Sequence, residues 1–177
     1  GMEQKKEGDE MRADCHMHTY FSGDSEAKPE DMVLSAIDKG LEAICFTDHE
    51  DIDYYCDDIE FVFDPERYFK ELEELREKYK GKLDIRIGVE FGMQPHLGEK
   101  AKEFTGAHPY DFVIGSMHVI GGKDPYFPEF FEGISDEEAY REALQETIRD
   151  IRSVSDFDVL GHLDYVVRYG KHQEQEY

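Results

Sequence analysis

Five strand-like segments in this chain each run into a residue able to hold a metal, and the first runs into a pair, His16 and His18, within Asp14-Cys15-His16-Met17-His18. Side chains two apart in a strand project to the same side, so His-x-His delivers two imidazoles to one ion without any special backbone. The others follow at intervals: Thr47-Asp48-His49 after Ala43–Phe46, Glu90 after Ile85–Val89, His118 after Phe112–Met117, and His162 after Val159–Gly161. Parallel strands lined up in a barrel gather their C-terminal ends at one face, and the residues there carry the chemistry. Any one of the eight histidines alone reads as a packing or surface residue. Their recurrence at strand ends points instead to a polynuclear metal site.

A length of 177 residues suits one domain, spanning 1–177, with a real core. Twenty basic against 43 acidic residues leave a net charge of −23, a field that repels polyanions. Nucleic acid and anionic membrane are therefore excluded as expected partners. A small phosphorylated substrate can still be held if bound divalent cations reverse the sign locally. No apolar run is long enough to span a bilayer and no charged-then-apolar leader opens the chain, so a cytoplasmic location is expected. Cys15, Cys45 and Cys56 form no C-x-x-C pair and leave an odd count, which suits a reducing compartment. Cys15 and Cys45 fall inside strands and read as small core residues.

Strands alternate with helices, the pattern of parallel βα units. Pro29-Glu30-Asp31 opens a helix that stops at Gly40, and Asp64-Pro65-Glu66 opens another that Gly81 closes, with Tyr68, Phe69, Leu72, Leu75 and Tyr79 as its apolar stripe. Ser135-Asp136-Glu137-Glu138 is a capping box, followed by Ala139, Tyr140, Ala143, Leu144, Ile148 and Ile151 at helical spacing up to about Ser153. Two loops stand beside the strand ends, one from Glu50 to Asp64 and one from Gly121 to Pro128. Each reads equally as a rim or lid and as a plain connector.

The motifs Asp14-Cys15-His16-Met17-His18-Thr19, Phe21-Ser22-Gly23-Asp24, Phe46-Thr47-Asp48-His49 and Gly88-Val89-Glu90-Phe91-Gly92 resemble those of the PHP (polymerase and histidinol phosphatase) superfamily. Ile114-Gly115-Ser116-Met117-His118 and Gly161-His162-Leu163-Asp164-Tyr165-Val166-Val167-Arg168-Tyr169-Gly170 are similar to its monofunctional histidinol-phosphate phosphatase group. The resemblance implies a distorted (βα)7 TIM-like barrel of parallel strands with up to three divalent ions. It assigns His16, His18 and Glu90 to the first ion, Glu90, His118 and His162 to the second, and Asp24 and His49 to the third. Family members complete the first and third with a late Asp-x-His motif. None follows His162 here, so the barrel is expected to be incomplete at the C-terminus, the second ion to be held best and the third worst. Truncation, proteolysis, a partial gene, or strand exchange with another subunit in a homo-oligomer would each account for this.

The implied activity is metal-dependent hydrolysis of a phosphate monoester, histidinol phosphate to histidinol and phosphate in histidine biosynthesis. Alternatives are a phosphoesterase acting on another small phosphate or a nucleotide, and a noncatalytic metal-binding or interaction module. Zinc, iron and manganese all suit the mixed imidazole and carboxylate donors. Asp48 and Asp164 stand beside ligand histidines, where each is either a partner that fixes a ring tautomer or carries a proton, or an ordinary strand-end acid. Arg168 is the candidate phosphate clamp, since guanidinium forks match phosphate oxygens.

Overall fold

The computed structural model describes residues 11–56 and 58–174. The elements run β1 (Ala13–Met17), α1 (Pro29–Asp38), β2 (Ala43–Phe46), β3 (His49–Glu50), α2 (Pro65–Lys78), β4 (Asp84–Gly92), α3 (Gly98–Ala107), β5 (Phe112–Ser116), α4 (Asp136–Ser153) and β6 (Val159–Leu160). Every strand pairing is parallel, in the order β1-β2-β4-β5-β6, with β3 also paired to β4. Four strand spacings of about 4.8 Å would put β1 and β6 roughly 19 Å apart in a flat sheet. Yet the rings of His16, in β1, and His162, just after β6, have centroids 6.3 Å apart. The sheet is curled into part of a TIM-like barrel, with helices on its outside.

Local chemistry sets the helix limits. Pro29 and Pro65 occupy first-turn positions, where their missing N–H costs nothing. The Asp64 side chain accepts from Glu66 N and Arg67 N, and Ser135 with Glu138 forms the capping box at the start of α4. Gly40 and Gly81 turn the chain at φ 70° and 78°, a left-handed conformation that costs glycine little.

Two of the packing expectations need correcting. On α4 the buried face carries Ala139, Ala143, Glu146, Thr147 and Asp150, while Leu144, Ile148 and Ile151 are exposed. The small alanines are what let the helix sit against Met117, Phe130, Phe131 and Val166. Cys45 is buried but Cys15 is exposed, because β1 is an edge strand whose residues are covered by no neighbour on one side. The main core lies between α1 and α2 and the middle of the sheet, where Val33, Tyr68, Leu72 and Leu75 pack against Ile44, Phe46, Ile85 and Ile87. Among the described residues no helix is long and apolar enough to cross a membrane.

Candidate metal centre

Parallel register decides which side chains meet. His49 lies directly opposite Glu90 in the β3–β4 pairing, and Glu90 opposite Ile114 in β4–β5. Glu90 thus stands at the centre of the strand ends, 1% exposed. Its Oε2 lies 2.9 Å from His18 Nε2, 3.7 Å from His16 Nε2 and 3.5 Å from His49 Nδ1. Its Oε1 lies 2.9 Å from His162 Nε2 and 3.2 Å from His118 Nε2. Asp24 completes the far side, 3.1 Å from His18 Nδ1 and 3.5 Å from His49 Nε2. The structure therefore brings together all seven residues, His16, His18, Asp24, His49, Glu90, His118 and His162, that the sequence set apart as metal-ligating.

The charges of the cluster depend on one another. Burial alone would raise Glu90, but contacts with His118, His162 and His18 hold it well below the ordinary carboxylate range. Burial would likewise lower the histidines. Against it, hydrogen bonds to Asp24 and Glu90 lift His18 to about 9, and those to Asp24 and Asp51 lift His49 to about 10. His16 goes the other way, because burial outweighs the attraction of Glu90.

The donor set fits divalent cations. Among the described residues, four overlapping groups place three ligand atoms within 4.8 Å of one another: His16, His18 and Glu90; His18, Asp24 and His49; His49, Asp51 and His118; and Glu90, His118 and His162. Five imidazoles cannot all be served by the two oxygens of one carboxylate. Left unprotonated, rings that give their one N–H to Asp24 or Asp51 turn a lone pair on the carboxylate of Glu90, and protonated they crowd positive charge onto rings whose centroids are as close as 4.3 Å. Cations among the ring nitrogens remove both conflicts.

Orientation comes from the other ring nitrogens. His16 Nδ1 lies 2.9 Å from Thr47 Oγ1, and the Nδ1 atoms of His49 and His118 both lie against Asp51, at 3.0 and 2.6 Å. Asp51 was not singled out from the sequence, although His49-Glu50-Asp51 has the same two-residue spacing that flagged His16 and His18. Asp48 has a different place from the one expected. It is fully buried beneath the site, where Oδ1 accepts from the backbone N and the hydroxyl of both Thr19 and Ser22, at 2.6 to 3.1 Å. Asp48 lies between the end of β2 at Phe46 and the start of β3 at His49, and its neighbour His49 turns to Asp51 and Asp24 instead. Asp164 is exposed at the start of a short 3-10 turn, Tyr165–Tyr169, and is not among the residues lining the cavity.

Above the cluster is a cavity of about 780 Å³. Both loops contribute to its wall, Tyr54 and Phe61 from the first, Asp124 and Tyr126 from the second. Asp124 ties them together: Tyr54 OH donates to one of its oxygens at 2.5 Å and Tyr165 OH to the other at 2.8 Å. Arg168 reaches the mouth from the 3-10 turn, its guanidinium carbon 5.9 Å from the centre of the Tyr165 ring. His96, His108 and His172 lie away from the cavity. They pair with Asp53, stack on Phe69 and approach Asp136, respectively.

Comparison with known proteins identifies the family. The family model of the PHP domain matches residues 14–177. A histidinol-phosphatase of Lactococcus lactis is 38% identical over 93% of this chain and 61% of its own length. A Clostridium acetobutylicum protein named "probable histidinol-phosphatase" is 31% identical over 94% of the chain and 62% of its own length. The chain thus spans about three fifths of the length of these relatives. Among solved structures, the Lactococcus lactis histidinol phosphate phosphatase complexed with zinc, L-histidinol and phosphate superimposes with a TM-score of 0.85 at 38% identity, over 90% of this chain and 60% of that one.

Proposed function

The chain belongs to the PHP domain family, and from that premise we propose that it hydrolyses a phosphate monoester, histidinol phosphate, using divalent metal ions held around Glu90. The observation that carries this reading is the convergence of five imidazoles on one buried carboxylate at the floor of a cavity sized for a small ligand. Zinc is the first choice of ion, because the Lactococcus lactis structure was solved with it; iron and manganese suit the same donors.

In this reading Glu90, His118 and His162 hold one ion, His16, His18 and Glu90 a second, and Asp24 and His49 a third. Bound there, the ions would lower the pKa of water toward neutrality and neutralise charge on the phosphate. The remaining work falls to the chain. Arg168 sets its guanidinium fork against the phosphate oxygens, offsetting the repulsion of a molecule that carries a net −23. The Tyr54, Phe61, Tyr126 and Tyr165 side chains wall off bulk water and give the organic part of the substrate an aromatic surface, while Asp124 fixes two of them by their hydroxyls.

Release of inorganic phosphate from L-histidinol phosphate by the zinc-loaded chain, beside a panel of other monoesters, nucleotides and diesters, tests the proposal. Preferred turnover of histidinol phosphate supports it. Preferred turnover of a nucleotide or another phosphate would move the substrate. Zinc binding with no turnover of any ester would leave a metal-binding module instead.

A further inference from the structure

The geometry points to Asp51 as the positioning residue that decides which nitrogen His49 and His118 present to the metal centre, in a space that Gly92 keeps open for its carboxylate. The inference rests on the metal reading above. Asp51 is 5% exposed and its backbone N is anchored on Phe61 O at 2.7 Å. Each carboxylate oxygen takes one ring: Oδ2 lies 3.0 Å from His49 Nδ1 and Oδ1 lies 2.6 Å from His118 Nδ1. His49 Nδ1 is nearer to Asp51 than to Glu90, which stands at 3.5 Å.

A neutral imidazole has one N–H and one lone pair. Committing Nδ1–H of both rings to Asp51 leaves both Nε2 lone pairs to face the cluster, where His118 Nε2 lies 3.2 Å from Glu90 and His49 Nε2 lies 3.5 Å from Asp24. One carboxylate therefore sets the tautomer of two ligands that belong to different ions.

Gly92 is an independent sign that the placement is built in. It closes β4, two residues after Glu90, and its φ lies outside the left-handed region, so the backbone there does not call for glycine. A Cβ on Gly92 would instead overlap the Oδ1 and Cγ atoms of Asp51. The side chain missing at 92 is the room that Asp51 occupies.

The test compares the wild-type chain with Asp51→Asn and Gly92→Ala by zinc affinity against a competing chelator, and by 15N ring spectra of the zinc-loaded proteins. An amide keeps the shape of Asp51 but offers one acceptor and one donor, so only one of the two rings can keep its Nδ1–H partner. Gly92→Ala reaches the same carboxylate from the opposite side and covers the case in which Asp51→Asn does not fold. Expected are Nδ1–H, Nε2-bound rings for both His49 and His118 in the wild type, an altered ring signature in both variants, and zinc affinity lowered by about 10–100-fold. Wild-type affinity and unchanged ring spectra in the variants would overturn the inference, as would a wild-type spectrum with either ring bound through Nδ1. Those outcomes leave the metal reading standing, whereas a wild-type chain that takes up no zinc brings down both.

Discussion

Glu90 offers two oxygens to five imidazoles at 2.9 to 3.7 Å while being almost wholly withdrawn from water. Glu90→Gln keeps its volume and removes the charge that the ions would share, so zinc uptake should fall by roughly 100-fold or more, read by equilibrium dialysis. The histidines give a pH signature with a definite sign. In the metal-free protein His18 and His49 are raised from 6.5 to about 9 and about 10. At these two sites the folded chain then holds more protons than the unfolded one, so their contribution to stability is full below pH 6.5 and is lost as the pH rises through 9 to 10. Glu50, which burial pushes up to about 7, adds a loss in the same direction between about pH 4.5 and 7. Zinc requires the rings unprotonated, so its stabilising effect should grow over the same range. Thermal melts with and without zinc from pH 6 to 9.5 should therefore diverge as pH rises; parallel curves would argue against protonated, zinc-competing histidines. The convergence of these residues was legible because His-x-His and a recurring His or Glu at the ends of parallel strands point to one face. The place of Asp48 was not, since it is fixed by Thr19 and Ser22, which lie far from it in sequence.

Asp48 illustrates what the elements contribute. Its Oδ1 is the shared acceptor for the turn from Thr19 to Ser22, and that turn carries the chain from His18 to Asp24. Asp48→Ala would strand the buried Thr19 backbone N–H and two hydroxyls, while Ser22 N keeps the Thr19 carbonyl, at a cost of about 3 kcal/mol and a fall in Tm on the order of 10 °C, measurable by calorimetry. Zinc affinity should weaken with it, because Asp24 loses its foundation. Helix ends were legible from Pro29, Pro65, Gly81 and the Ser135–Glu138 box, each a local rule that tertiary context did not override. Helix α3, Gly98–Ala107, was not. It buries Ala101 alone and has glycine at both ends, so its periodic signal is faint. On α4 Ala139 and Ala143 did mark the buried face, but Leu144, Ile148 and Ile151 face outward, since the contacts that orient a helix are made by other segments.

At the scale of the whole molecule, curling of a parallel sheet is what converts residues 16, 49, 90, 118 and 162 into neighbours. The order of the strands was readable from alternating βα units, and so was the face on which their ends meet. How far the sheet closes was not, because closure depends on strand tilt and on pairing partners rather than on any one segment. The three proposed ions should differ in strength. The one between Glu90, His118 and His162 would draw on the two donors most withdrawn from water, Glu90 and His118, so stepwise chelation should remove it last. The measurement closest to the central claim is diffraction from the zinc-loaded crystal at the zinc absorption edge. Anomalous peaks at about 2.0–2.2 Å from Glu90 and from the ring nitrogens of His118 and His162 are expected. A zinc-soaked crystal with no anomalous peak beside Glu90, its imidazoles still hydrogen-bonded to the carboxylate, would contradict it.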